Sequence, residues 1–389
     1  MNARALRFWA ITAIGVQCAL LAFAIAGTHG WIVKLPQTTT TDFVSFYAAG
    51  KLAAGANPAA VYDLIRHQQA EFAATGSSAD YKFFFYPPVF LLLLAPLAKL
   101  PYLAAFVCFQ VVPLAALIWP LRLTAPRWSA WAILAVPSLY WCLGQGQNSL
   151  LSAALFAIGI GLLERWPGLA GIAFGMLCYK PHLGIVLPFA LLAGRHWRSL
   201  VASGITVIAL IFASYACFGA GCWIAFWQRF ATTGAVFTTG RVNFGALTSV
   251  FGAALNLGAS ATLAGCLQII ATLAAIFTAM VIWRRRGSLA CRGASLIAAT
   301  LIAMPVVLYY DLTIAALPAI WLAASPAAGR RLQTALITSF AIDLIGYPVA
   351  VMTHLSVAAA ICPTLLWLAA AWSKQTPEQY AVTCHHSTA

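Results

Sequence analysis

Long apolar runs follow one another along almost the whole chain. The apolar residues are continuous and do not alternate with polar ones, which is the pattern of helices rather than of barrel strands. A run of about 20 apolar residues spans a bilayer as a helix, because its backbone groups bond within the segment. The pattern therefore predicts an all-α fold, a polytopic transmembrane helical bundle that forms a single integral-membrane domain, 1–389. Spans are predicted near residues 8–28, 86–99, 103–121, 129–143, 147–163, 168–194, 199–218, 261–283, 294–310, 312–325, 332–350 and 356–372.

The number of crossings is about 10–13, because several of these runs are shorter than a full span. An even number returns the C-terminus to the side of the N-terminus, where residues 373–389 form a polar tail. The first run is long enough to be kept as a span rather than cleaved as a signal peptide. The crossings between 99 and 170 are the least determined, since they place Arg122, Arg127 and Arg165 on the outer side.

Composition agrees with this class of protein: 62% of the residues are hydrophobic, 8% are charged, and the mean hydropathy is +0.89. The net charge of +14 would suit a nucleic-acid-binding protein if the cations formed a patch. With the N-terminus inside, however, basic residues concentrate between spans on one side, where Glu378 is the only acid. This positive-inside pattern predicts an inner (plasma) membrane protein with both termini cytoplasmic and with no nucleic-acid partner.

The first outer loop, residues 29–85, is far longer than a connection needs to be and is a candidate functional region. Thr40 or Thr41 is predicted to cap a short helix with Asp42 in its first turn, where the helix dipole favours an anion. The residues that follow at helical spacing share one face: Phe43, Phe46, Tyr47 and Gly50.

Two further stretches are predicted to lie in the membrane interface. A second helix of the first loop has Asn57 as its cap and Pro58 at its first position. Its apolar face consists of Val61, Leu64, Ile65 and Phe72. The second outer segment, 219–260, combines aromatic residues with a few cations, as is typical of the headgroup level. It contains Trp223, Phe226, Trp227, Arg229, Arg241 and Asn243.

Five short motifs occur in the order found in a known family. The chain resembles glycosyltransferase family 87, of the membrane-embedded C-type glycosyltransferase superfamily. The resemblance implies an inverting hexosyltransferase that takes a sugar, typically mannose, from a polyprenyl-phosphate donor on the outer face. It also implies a catalytic aspartate in the first outer loop, and Asp42 is the matching position. The motifs are DFVSFYAAGKLAAGANPAAVYD (42–63), FFYPPVFLLLLAPLAKLP (84–101), GQGQNSLL (144–151), GLAGIAFGMLCYKP (168–181) and YYDL (309–312).

The residues alone support similar chemistry around Asp42. Displacing a sugar from phosphate needs a base for the acceptor hydroxyl and a way to hold the leaving phosphate. One carboxylate suffices for a single displacement, and two close ones would favour a covalent route. The chain has no DxD pair and no ligand-spaced Cys/His set, so no cofactor is expected, and a metal requirement is left open. The alternative for Asp42 is a helix-capping or interfacial acid.

Two cations are candidates for the donor phosphate. Arg241 has the fixed fork that suits phosphate, with lipid headgroup contact as the alternative. Lys180 lies within an apolar run, where a cation is costly and often functional. Pro181 should break that helix and free backbone groups to line a cavity. The alternative for Lys180 is that its ammonium extends to the interface.

Polar groups near apolar runs are candidates for substrate binding. Asp311 suits either acceptor binding or pairing with an arginine, whereas Asp343 is expected to pair with Lys180 or another cation. The amides suit either sugar hydroxyls or hydrogen bonds between helices, and His182 suits either substrate or packing at the helix break. The substrate-binding candidates are Tyr47, Lys51, Tyr86, Gln145, Gln147, Asn148, His182, Asn243, Tyr310 and Asp311.

A transporter or flippase of lipid-linked sugar without chemistry is the alternative class. Such proteins are built from repeats with discontinuous helices in corresponding halves. The break at Lys180 and Pro181 has no evident partner elsewhere in the sequence, and the first loop is unusually long for a carrier. The sequence therefore favours an enzyme whose partners are a polyprenyl-phosphate sugar donor, a lipid or glycan acceptor and membrane lipids.

Overall fold

The computed structural model describes residues 11–19, 22, 28–29, 32–34, 38–75, 81–124, 129–238, 243–285, 287–324 and 330–373, and these are largely helical. Residues 11–19 form helix α1. The other α-helices are α2 (Phe43–Ala53), α3 (Leu64–Thr75), α4 (Pro88–Leu97), α5 (Tyr102–Thr124), α6 (Ser129–Leu134), α7 (Pro137–Gln145), α8 (Ser149–Leu162), α9 (Pro167–Met176), α10 (Leu187–Ala193), α11 (Trp197–Thr238), α12 (Val250–Asn256), α13 (Ala261–Arg284), α14 (Leu289–Ala303), α15 (Leu312–Ala323), α16 (Arg330–Thr353) and α17 (Ile361–Trp372). Short 3₁₀ helices cover Pro58–Tyr62, Leu177–Tyr179, Pro181–Gly184, Phe244–Ala246, Tyr309–Asp311 and Val357–Ala360.

A small antiparallel sheet precedes α2, with strands β1 (Thr28–His29), β2 (Ile32–Lys34) and β3 (Thr38–Thr40) in that order. Ile32 pairs with Thr40, so the sheet leads directly to the start of α2. The hydrophobic pattern did not predict these strands, although β-branched residues favour the extended conformation.

Four helices within the described residues are long and apolar enough to cross a membrane: Tyr102–Arg122, Trp197–Ala231, Ala261–Arg284 and Leu332–Thr353. The 24 residues of α13 reach about 36 Å, which exceeds the roughly 30 Å hydrocarbon core of a bilayer. Seven shorter apolar helices pack among them around a common hydrophobic core. The prediction of an all-α polytopic membrane bundle is confirmed.

The bundle has two ends, each marked by polar contacts between distant parts of the chain. At one end, Gln147 contacts Asp42 and Ser149 contacts Asp311; we call this the site end. At the other end, Arg292 contacts both Glu164 and His196; we call this the opposite end. Helices α8, α9, α10 and α14 run between the two ends.

The predicted span 86–99 is not a crossing. Its helix, α4, has 10 residues and reaches only about 15 Å. The Tyr47 hydroxyl donates to the Leu100 carbonyl at 2.9 Å, so the chain after α4 is still beside α2. Helices α2, α3 and α4 with Pro58–Tyr62 therefore form a layer at the site end, which we call the first-loop layer.

The predicted span 168–194, by contrast, is two passes. Glu164 before it and His196 after it both contact Arg292, so the segment starts and finishes at the opposite end. The chain turns at Lys180 and Pro181, between the 3₁₀ helices that follow α9. The helix break predicted at Pro181 is confirmed, because proline cannot donate the required backbone hydrogen bond.

These two differences offset each other in the count of crossings but change the sides of several loops. Tyr102 contacts Thr41 at the site end, and α5 places Arg122 about 30 Å away from it. Arg165 follows Glu164 at the opposite end, whereas Lys99 lies at the site end. Arg122 and Arg165, which the sequence prediction placed on the same side as the first loop, therefore lie at the other end of the bundle from it.

Helix α11 continues past the predicted span 199–218, with a kink at Gly219. Gly219 has φ 77° and ψ 168°, a backbone conformation that is strongly disfavoured for every residue except glycine. Beyond the kink, the Cys222 thiol donates to the Pro58 carbonyl, and Phe226 packs on Tyr62 with ring centroids 5.7 Å apart. The first part of the second outer segment is thus a helix against the first-loop layer.

The second helix of the first loop differs from its prediction. Asn57 and Pro58 begin a short 3₁₀ helix, and Asp63 then starts α3 by accepting from the Ile65 and Arg66 amides at 3.0 Å. Leu64 and Ile65 are exposed, whereas the buried residues of α3 are His67 and Glu71. The predicted apolar face is therefore divided: Val61 is buried in the 3₁₀ helix, whereas Leu64 and Ile65 are exposed on α3, which suits a helix lying in lipid headgroups.

Candidate active site

Four interruptions of helical structure meet at the site end: the start of α2, residues 145–149, residues 177–184 and residues 305–311. Sequence causes each interruption locally. Gly146 ends α7 in the left-handed conformation with φ 67°, and a β-carbon there would lie 2.5 Å from that of Phe43. Pro181 and Pro305 interrupt the other two apolar segments. Loop backbone at this depth is therefore enclosed by protein.

Asp42 stands at the first of these interruptions. It is the N-cap residue of α2, but its side chain makes no capping hydrogen bond, so the helix-capping alternative is wrong. Instead Gln147 donates to its Oδ2 at 2.7 Å, and the Lys82 ammonium lies 3.5 Å from its Oδ1. The Asp42 side chain is 26% exposed. One carboxylate oxygen thus accepts a short hydrogen bond, while the other has a looser contact to Lys82 in a side chain that is partly exposed.

Lys82 was not among the residues predicted for the site. Its segment, residues 81–87, is extended, and its amide donates to Glu71 Oε2 at 3.1 Å. Its side chain is 27% exposed and faces Asp42. The signal in the sequence was a cation followed directly by a run of aromatic residues, which is ambiguous without knowledge of the fold.

Asp311 is the second carboxylate of the site and is buried. Its Oδ1 accepts from the Lys180 ammonium at 2.8 Å and from the Ser149 hydroxyl at 2.7 Å. Its Oδ2 accepts from the Leu308 amide at 3.3 Å. Lys180 is also buried, so the ammonium neither extends to the interface nor stands free for phosphate. Of the two predictions for Asp311, pairing with a cation is observed, with Lys180 in place of an arginine.

Several buried polar atoms near these carboxylates lack a hydrogen-bond partner in the described part of the chain. They are Oε1 of Gln147, both amide atoms of Asn148, Nε2 of His182 and Oε1 of Gln110. Gln110 donates its Nε2 to the Gln147 carbonyl at 3.2 Å, which brings α5 to the same place. Buried polar atoms are nearly always paired, so this group can receive the hydroxyls of a ligand.

Tyrosines form one wall of the site. Tyr86, Tyr309 and Tyr310 lie close enough to Asp42 to interact with it electrostatically. The Tyr309 ring stacks on Tyr347 with centroids 4.7 Å apart. Tyrosine hydroxyls, amide groups and a partly exposed carboxylate are groups that can hydrogen-bond to the hydroxyls of a sugar.

A sequence model of glycosyltransferase family 87 matches residues 84–309, more than half of the chain. The chain belongs to glycosyltransferase family 87. It is therefore a membrane glycosyltransferase with a sugar donor and an acceptor. The search of curated proteins found no match, and neither did the search of solved structures. The matched range begins after Asp42 and Lys82 and stops before Asp311, so their roles depend on the geometry described above.

In the structure of this family 87 transferase, other predicted site residues have different surroundings from those of Asp42. The Tyr47 hydroxyl donates to the Leu100 carbonyl. Lys51 is exposed, about 13 Å along the helix axis from Asp42. Asn243 accepts from the Gly245 amide at 2.9 Å, so it caps a 3₁₀ helix. Gln145 is half-buried at the end of α7. Arg241 lies outside the described residues.

Asp343 also differs from its prediction. Its Oδ2 accepts from the Ser138 amide at 3.0 Å, at the first turn of α7. It therefore does not pair with Lys180, whose partner is Asp311. A carboxylate at a helix N-terminus is stabilised by the unpaired amides and the dipole, which accounts for an acid in the middle of α16.

Proposed function

We propose that this glycosyltransferase is an inverting enzyme that moves a hexose, mannose in the simplest case, from a polyprenyl-phosphate donor to a hydroxyl of a lipid or glycan acceptor. Asp42 is the general base. The observation that carries this proposal is the environment of Asp42. It is a partly exposed carboxylate at a helix start that does no capping, with Gln147 on one oxygen and the Lys82 ammonium near the other.

The reaction needs one base and one leaving phosphate. The acceptor oxygen attacks the anomeric carbon, the bond from that carbon to the phosphate oxygen breaks, and the hydroxyl proton passes to Asp42. Polyprenyl phosphate leaves as an anion, so no general acid is required. A covalent route would need a second available carboxylate, and Asp311 is fully engaged with Lys180 and Ser149.

Lys82 is the cation we assign to the donor phosphate. It is partly exposed beside Asp42, so its ammonium can lie between the leaving phosphate and the base. Lys180 is neutralised by Asp311 and is a supporting residue in this scheme. Arg241 stays a prediction from the sequence; replacing it with alanine should raise the donor KM more than it lowers kcat if it binds phosphate.

The unpaired amides provide the sugar-binding groups. Asn148 and Gln147 adjoin Asp42, and His182 lies near the Lys180–Asp311 pair. Each offers a donor or acceptor that a sugar hydroxyl would satisfy, which favours the hexose over a ligand without hydroxyls. Tyr86 and Tyr310 complete this side of the site.

The site end faces the outside of the plasma (inner) membrane in this proposal, and both termini are cytoplasmic. Arg122, Arg165, Arg195 and Arg284 all belong to the opposite end, as the positive-inside rule requires of a cytoplasmic side. A polyprenyl-phosphate donor suits such a site, because its lipid chain keeps the sugar at the membrane surface.

The test is transfer by purified enzyme in vesicles from labelled polyprenyl-phosphate mannose, followed by identification of the product and its anomeric configuration. We expect an inverted linkage and no transfer by Asp42→Asn. Retention of configuration would exclude the single displacement. Transfer from a nucleotide sugar, with none from the lipid donor, would exclude the proposed donor.

A further inference from the structure

A second pair of titratable residues lies behind Asp42 in the first-loop layer. His67 and Glu71 are on adjacent turns of α3, outside the spanning helices, and both are buried. His67 Nδ1 faces Glu71 Oε1 at 3.5 Å. Burying two ionisable side chains while exposing Leu64 and Ile65 on the same helix costs free energy. This cost indicates that the buried pair has a role.

The pair connects the two segments that carry Asp42 and Lys82. His67 Nε2 donates to the Ser45 carbonyl at 3.2 Å, in the first turn of α2. Glu71 Oε2 accepts from the Lys82 amide at 3.1 Å. The ammonium of that same Lys82 then faces Asp42. The relative position of the Lys82 and Asp42 segments therefore depends on this pair.

The contacts also determine where the protons lie. A carbonyl only accepts, so Nε2 of His67 carries hydrogen and Nδ1 presents a lone pair towards Glu71 Oε1. Two lone pairs would repel each other, so Oε1 carries the proton of a neutral carboxyl, while Oε2 accepts from Lys82. Burial raises the pKa of the Glu71 carboxyl to about 8 and lowers that of the His67 imidazole to about 4, which agrees with two neutral groups at pH 7.

We propose that neutral Glu71, supported by His67, is a positioning residue that sets Lys82 beside Asp42 for binding of the donor phosphate. The inference rests on the function proposed above. Ionised Glu71 would add a second anion near the Lys82 ammonium and would repel the His67 lone pair. The other groups that act on this region are Asp42 from α2, Tyr81 beside Lys82, Tyr102 from α5, and, both through Tyr81, Arg229 from α11 and Asp63 at the start of α3.

The first measurement is the pH dependence of kcat/KM for the lipid donor between pH 7 and pH 9. Wild-type activity should fall about tenfold over this range as Glu71 ionises. Glu71→Gln keeps a neutral side chain of the same size, so it should retain wild-type activity at pH 7 and lose the fall above it. Asp63→Asn is the matched control. Asp63 is an exposed acid in the same layer, and asparagine can still cap α3 in its place, so this variant should follow the wild type.

The second measurement needs no substrate. Hydrogen exchange at the amides of 81–86, and at that of Lys82 above all, should become at least about tenfold faster in Glu71→Ala and stay slow in Glu71→Gln, once corrected for intrinsic rates. If Glu71→Ala does not accumulate as folded protein, the wild type itself serves, since its corrected exchange should accelerate above pH 8 while that of Glu71→Gln does not.

The outcomes separate this inference from the donor assignment. An identical alkaline fall in Glu71→Gln and the wild type would overturn the role of Glu71 even with lipid-donor transfer established. Absence of any transfer from the lipid donor would instead overturn the proposed function. In that case hydrogen exchange decides the positioning alone, and equal protection of 81–86 in all variants would refute it.

Discussion

Asp42 and Asp311 lie at the same end of the bundle, and their carboxylates are held in opposite ways. Asp311 is buried with three donors around it, from Lys180, Ser149 and Leu308. Asp42 is a quarter exposed, with one hydrogen bond from Gln147 and a looser contact to Lys82. A base must be able to accept a proton from substrate, and Asp42, whose side chain is partly exposed, is the more accessible of the two carboxylates. Asp311 instead joins three interrupted segments of the chain.

The largest expected effect is on catalysis. Asp42→Asn preserves size and the hydrogen bond from Gln147 but removes the proton acceptor, so transfer should fall by about 10²–10⁴. The unfolding temperature in detergent should stay close to the wild-type value, because the side chain makes no structural cap. Initial rates with labelled donor, paired with thermal unfolding, measure both. Near-normal transfer by folded Asp42→Asn would remove the distinction between the two carboxylates.

The next effect is on stability. Asp311→Ala leaves the Lys180 ammonium buried without its partner, and loss of one member of a buried pair costs about 3–5 kcal/mol. The unfolding temperature should drop sharply. Combining Asp311→Leu with Lys180→Met removes both charges and should recover most of that loss. A single variant as stable as the wild type would show that Asp311 does not join the segments as described.

The sequence predicted the fold class, which the structure confirms, and it indicated Asp42 as the base, which stays a prediction. It did not predict the contrast between the two carboxylates. Asp311 was assigned either acceptor binding or pairing with an arginine, because nothing local shows that Lys180, 131 positions earlier, faces it. The same holds for Gln147, for which the sequence left either sugar hydroxyls or hydrogen bonds between helices. Its contact with Asp42 depends on how α5 and α7 pack near α2. Contacts between distant segments depend on the order in which helices pack, and hydrophobic periodicity does not report that order.

Short helices were the other source of error. An apolar run of 10 residues such as α4 and one half of a broken pair such as α9 look alike in hydropathy. One failed to cross and the other began a second pass, so the predicted number of spans concealed two opposite mistakes. Lys82 was missed for a related reason, since its importance comes from contacts with Glu71 and Asp42 that the local sequence does not show.

A smaller effect is expected from Lys82. Its replacement by methionine removes one charged contact to phosphate, worth about 1.5–3 kcal/mol, so the donor KM should rise about tenfold or more with a lesser change in kcat. Lys99→Met, at an exposed cation of the same end, is the control and should leave KM unchanged. Equal effects of the two substitutions would indicate general attraction of the anionic lipid rather than a phosphate contact.

The last prediction concerns the accessibility of single introduced cysteines, and no effect on activity is expected. It tests whether both carboxylates lie on one face of the membrane. In a background without reactive native cysteines, Lys99→Cys and Asp63→Cys should react with an impermeant reagent from the outside. Arg165→Cys should react only after the vesicles are opened. Reaction of Arg165→Cys from the same side as Asp63→Cys would contradict the two-ended arrangement and separate Asp42 from Asp311.

Side-chain contacts at both ends of α8 connect it to other segments, namely to α14 at one end and to the residue before α15 at the other. Ser149 at the start of α8 bonds Asp311, and Glu164 beyond its end bonds Arg292. These two contacts resist sliding of α8 along the neighbouring helices, since a shift by one helical turn of about 5.4 Å would break both of them. The flexibility needed to admit a long prenyl chain should therefore reside in α3, of which only His67 and Glu71 are buried. Amide exchange should be slower in α8 and α14 than in α3.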